Sequence, residues 1–107
     1  MRKENPYYFA AGADLDAMIH LQVFGGLASD ICPTYSVSDD LAKRVQVKLI
    51  KRFKIGIVTG KTTLRIPSRR FFARWETGPS TSTEVLAESI PLAICRLAIL
   101  ITDKHND

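Results

Sequence analysis

The 107-residue chain predicts an α+β sandwich, a three-stranded antiparallel sheet with three main helices in the order α-α-β-β-β-α. Three observations point to it. Two amphipathic stretches at helical spacing come first, the centre changes to a period of two, and an almost wholly apolar stretch led by Ser89-Ile-Pro91 closes the chain. With 46% hydrophobic residues, and a length at which a chain buries roughly 60–70% of its unfolded surface, the sequence supports one core and one domain over 1–107, residues 1–13 forming an arm.

The first helix is expected over 14–24. Asp14 stands where an N-cap belongs, Leu15, Met18, Ile19 and Val23 recur at helical spacing, and Gly25-Gly26 ends the run. Ser36 and Ser38-Asp39-Asp40 then offer caps and first-turn acids to a second helix over 41–52. There Leu41, Ala42, Val45, Leu49 and Phe53 share one arc, while Lys43, Arg44, Lys48, Lys51 and Arg52 surround Val47 on the other. One helix thus carries a core stripe and a basic stripe.

Strands are expected at 54–58, 63–66 and 70–76, divided by Thr59-Gly-Lys-Thr62 and by Pro67-Ser68, with 77–83 as a loop. Alternation puts Phe71, Ala73 and Trp75 on one face, joined by Ile55, Ile57, Leu64 and Ile66. On the opposite face Lys54, Arg65, Arg70 and Arg74 surround Phe72. The last helix, over 90–104, has Ser89 as cap and Pro91 in its first turn, where a missing N–H does no harm. Apart from Arg96 its first three turns are apolar on all sides, so it is either sandwiched centrally or lies in a subunit interface, and a homodimer through it is one expectation.

The net charge of +4 hides a strong division. Residues 43–74 hold eleven basic side chains and no acidic one, leaving four basic and all eleven acidic residues to the rest, +11 against −7. Such asymmetry bears on partners and association rates rather than on fold. The N-terminus lacks a long aliphatic run and reads as no signal peptide, and the longest apolar run, 90–101, contains Arg96 and falls well short of the roughly twenty residues a membrane span needs. Cys32 and Cys95 show no Cys-x-x-Cys spacing and are expected as reduced thiols.

Chemical candidates are few. Gly56-Ile-Val-Thr-Gly60-Lys61-Thr62 is one residue short of a phosphate loop and precedes an expected strand instead of a helix, so it reads as a hairpin turn. A Cys32–His20 pair would be a nucleophile with a base, but Cys32 precedes a proline in a loop and His20 is the only internal histidine. Asp14/Asp16 and Asp39/Asp40 are explained by helix starts. No catalytic residue, metal site or cofactor is expected.

The pieces Pro33-Thr-Tyr35-Ser36, Asp39-Asp40-Leu-Ala42, Trp75 and the run from Ala87 through Pro91-Leu-Ala-Ile-Cys-Arg96 to Ala98 resemble the phage ABA sandwich domain family and, more distantly, the NinX-like phage proteins. The resemblance covers roughly residues 14–102. It implies a small protein of phage or prophage origin, with helices on both sheet faces and no catalytic residues. Phe24-Gly-Gly26 stands where a tryptophan is expected after the first helix, and the basic centre is unusual for the family.

The basic centre is the functional candidate. Lys43, Arg44, Lys48, Lys51, Arg52, Lys54, Arg65, Arg69, Arg70, Phe72 and Arg74 are expected to form the partner-binding surface, with Phe72 or Tyr35 as a stacking group. The expected partner is an acidic host or phage protein in the cytoplasm of a bacterial host. Since small non-enzymatic phage proteins include inhibitors of CRISPR and other defence systems, the resemblance implies interference with a host defence or nucleoprotein complex. The alternative is direct nucleic-acid binding through the same residues.

Overall fold

A computed structural model describes residues 10–27, 31–78 and 81–106. The elements run α1 (Ala13–Gln22), α2 (Asp39–Phe53), β1 (Gly56–Lys61), a 3-10 turn (Pro67–Arg69), β2 (Phe71–Gly78), β3 (Thr81–Ala87) and α3 (Ile90–Asn106). The expected order α-α-β-β-β-α is the observed one. The sheet is an antiparallel meander in the order β1-β2-β3. Of the arm expected over 1–13, residues 1–9 lie outside the described residues.

The starts of all three helices have an identifiable cause. Ser38 is the N-cap of α2, its Oγ accepting from the Leu41 N–H, and Asp39 and Asp40 place negative charge at the positive end of the helix. Helix α1 begins one residue before expectation, and the N-cap is Gly12 rather than Asp14. Gly12 has φ 146°, a value that favours glycine, and its N–H donates to Ser36 Oγ at 2.9 Å, which ties the chain before the helix to the loop after it. Ser89 caps α3 through the Leu92 N–H at 3.3 Å.

Three strand assignments change, the first because β1 runs over Gly56–Lys61 instead of 54–58: Lys54 ends α2, and Thr59, Gly60 and Lys61, expected as a turn, pair with β2. Residues 63–66 alternate like a strand yet join no strand among the described residues, because Pro67 lacks an N–H and opens the 3-10 turn while Thr62 closes the connection on itself, its Oγ1 donating to Arg69 O at 2.8 Å and its N–H to Arg70 O at 2.7 Å. Leu64 and Ile66 are consequently exposed rather than part of the core face. The third strand is instead Thr81–Ala87, which begins inside the expected loop. Its Thr83, Val85 and Ala87 alternate inward opposite Trp75, Ala73 and Phe71.

The core forms where three surfaces meet on α3. Ala42, Val45 and Leu49 of α2, Leu15 and Ile19 of α1, and Ile57, Ala73, Trp75, Val85 and Ala87 of the sheet are all buried in one cluster with Leu92, Leu97, Ile99 and Ile101. Burying each such large aliphatic side chain stabilises the fold by about 1.5–3 kcal/mol. Helix α3 is apolar all round because the sheet lies on one side and α1 and α2 on the other. The central position is therefore the one realised, and the apolar surface that would serve a homodimer through α3 is already covered by its own chain. The outer sheet face, with Val58, Phe72, Arg74, Glu76, Glu84 and Leu86, carries none of the described helices. Helices on both faces, implied by the family resemblance, are thus not found among the described residues.

Candidate interaction surface

The expected site residues divide among four places. Lys43, Arg44, Lys48 and Lys51 project from the side of α2 opposite its core stripe and are exposed. Together with Phe24, Asp40 and Val47 they line an open groove of about 670 Å³. A second depression of about 330 Å³, lined by Leu21, Gln22, Val23, Phe24, Gly25, Lys48 and Arg52, shares Phe24 and Lys48 with the first. The two form one track between the end of α1 and the basic stripe of α2. None of Lys43, Arg44, Lys48 and Lys51 forms an ion pair among the described residues.

Arg52 has a structural task. Its Nη1 donates to Gln22 O at 2.8 Å and Val23 O at 3.4 Å, satisfying carbonyls at the C-terminal end of α1, where positive charge is favoured by the helix dipole. Lys54 adopts a left-handed conformation (φ 54°) as the C-cap of α2. Arg65, Arg69 and Arg70 stand exposed on the connection 62–70 between β1 and β2, outside the strands themselves.

Phe72 and Arg74 lie on the outer sheet face in a different setting. Arg74 sits between Glu76 (Nε to Oε2, 3.9 Å) and Glu84 (Nη1 to Oε1, 3.8 Å), and its guanidinium lies over the Phe72 ring at 5.3 Å from the centroid. Phe72 in turn lies across Gly60, its cross-strand partner, so closely that a Cβ there would come within 2.8 Å of the ring. The ring expected to stack on a base is occupied by its own neighbours. Tyr35, the other expected stacking group, is buried, packed face to face on Phe24 at 5.2 Å between centroids.

Around Tyr35 lies a polar cluster that is structural. Buried Asp16 accepts from the Ser36 N–H at 2.8 Å, and His20 Nδ1 is within hydrogen-bond reach of the Tyr35 hydroxyl at 3.3 Å. Burial, and then the Asp16 charge, push the Cys32 thiol above its ordinary pKa, and the same causes push Cys95 up to about 12. Both move opposite to an activated nucleophile, which needs a stabilised thiolate. The Cys32–His20 pairing is not made, since the imidazole turns to Tyr35 and Cys32 Sγ to Pro33 O at 3.5 Å. Asp16 belongs to this cluster and not to a carboxylate pair with exposed Asp14. Gly56–Lys61 is a strand paired with β2 through Lys61, so these glycines form neither a phosphate loop nor the expected hairpin turn. No described helix is long and apolar enough to cross a membrane.

Phe24, Val47 and Leu21 are the groove residues that charge counting does not reveal. Val47 was visible as the lone apolar residue in the basic arc, and Phe24 as the departure from an expected tryptophan. Neither pattern says that the end of α1 comes to lie beside α2.

No protein-family model matches the chain, and no curated protein does. Among solved structures it is similar to a phage protein from Bacillus cereus ATCC 14579, with a TM-score of 0.65 and 23% identity over 97% of this chain and 92% of that one. That likeness covers nearly the whole of both chains and supports the α+β arrangement described above as a fold shared with a phage protein.

Proposed function

We propose that the chain is a non-enzymatic interaction protein of phage or prophage origin that binds an acidic partner protein through the basic face of α2. The observation that carries this reading is the groove in which Lys43, Arg44, Lys48 and Lys51 stand exposed, without ion pairs among the described residues, around Val47 and Phe24. Uncompensated cations grouped on one rigid helix raise association rates with a negative surface and select against positive ones. Phage origin is supported by the structural likeness to the Bacillus cereus phage protein and by the family resemblance of the sequence. From that origin follows the finer reading, interference with a host defence system, of the anti-CRISPR kind, or with another nucleoprotein complex, in the bacterial cytoplasm.

The test is affinity capture from nuclease-treated bacterial lysate, with the wild-type chain and a Lys43→Glu/Lys48→Glu/Lys51→Glu variant side by side. A stoichiometric protein retained by the wild type and lost by the variant is the expected result. Retention of nucleic acid only, or of the same proteins by both chains, overturns it. Free DNA and RNA are titrated in parallel at low salt, and tight binding with a steep salt dependence would replace the protein partner with a nucleic acid.

A further inference from the structure

Resting on that reading of α2, we infer that the partner is an acidic segment that seats an apolar side chain between Phe24 and Val47, and that this anchor holds the complex while the surrounding cations steer and orient it. Val47 is 43% exposed in the middle of the basic stripe, and Leu21, also 43% exposed, borders the far end of the same track. Phe24, common to both depressions, has one ring face against Tyr35 and is fixed by that stack, so the apolar floor needs no reorganisation on binding.

Charge sets the register. Lys43, Arg44, Lys48 and Lys51 ring the floor, and Asp40 is the single acidic residue lining it, at the N-terminal end of α2. A partner carboxylate is attracted along residues 43–51 and repelled beside Asp40, which gives the bound segment a direction. Lys43 to Lys51 extends only about 12 Å along the helix, a short run of charge for a polyphosphate that gains affinity by covering many cations. Long lysine stems in solvent contribute mostly to encounter, since exposed ion pairs are weak and screened by salt, whereas an apolar side chain desolvated at the centre of the patch governs dissociation.

The experiment compares association and dissociation rates on the immobilised full chain. The probes are a synthetic peptide with Leu and Phe set between glutamates, the same peptide with serine in place of both, and a DNA duplex. The apolar-acidic peptide is expected to bind, and the serine peptide about tenfold more weakly. Val47→Ser, a surface change outside the core cluster, is expected to speed dissociation about fivefold with association unchanged, while Lys43→Gln/Lys51→Gln slows association and flattens its salt dependence. Equal binding of the serine peptide, tighter binding of the duplex, no peptide binding, or unchanged dissociation from Val47→Ser overturns the anchor. If the protein captured from lysate is sensitive to the α2 charge reversal and indifferent to Val47→Ser, the anchor fails and the basic-face reading stands. Indifference to both sinks the two together.

Discussion

On α2, Lys43, Arg44, Lys48 and Lys51 stand in solvent with no acidic partner among the described residues, whereas on the outer sheet face Arg74 is held between Glu76 and Glu84 and over Phe72. Both regions come from the same acid-free stretch 43–74. They differ because a helix surface is supplied by one segment alone, while each residue of a sheet acquires neighbours from the next strand. Strand β3 brings Glu84 directly opposite Arg74, and that register turns a cation into part of a charge-balanced face. Charge left uncompensated is available to a partner; charge already paired is part of the fold.

The sharpest break of this comparison is the α2 charge reversal. Lys43→Glu/Lys48→Glu/Lys51→Glu is expected to weaken binding to the captured partner by roughly 100-fold in titration calorimetry, with the thermal midpoint nearly unchanged. On the sheet the ordering inverts. Gly60→Val, whose Cβ would press on the Phe72 ring, should cost about 1–3 kcal/mol in urea unfolding by disturbing the Phe72–Arg74 stack, with partner affinity kept. Arg74→Ala leaves Glu76 and Glu84 without their shared cation and should cost about 0.5–1 kcal/mol of stability, again without loss of binding. A loss of binding from Arg74→Ala as large as from the α2 reversal would erase the distinction. The smallest effect belongs to Lys48→Ala, expected within about 0.5 kcal/mol of the wild type in unfolding, because its side chain is exposed and in no ion pair among the described residues.

Much of the helical part was legible from residue order. Ser38 and Ser89 as caps, Ala42, Val45 and Leu49 as a core stripe, Val47 amid cations and Pro91 in a first turn all depend on neighbours within about one or two helical turns. The strands were legible only in part. Residues 63–66 have a better apolar alternation than 81–84, yet Thr62 and Pro67 fold the former into a connection and β2 recruits the latter. Phe72 was visible as an aromatic residue among arginines, but Gly60 beneath its ring and Arg74 above it come from register and were not.

By itself the sequence determined three helices and a meander, a central apolar helix, and a helix with two chemically opposed stripes, because periodicity and capping are local properties of the chain. Tertiary structure decided which segment became the third strand and which cations found acidic partners. It also set Phe24 beside Val47 and placed all the described helices on one side of the sheet. Those outcomes depend on pairings between residues far apart in the chain, such as Arg52 with the carbonyls of Gln22 and Val23 or Ser36 with Asp16, whose energies exist only once the chain has closed on itself.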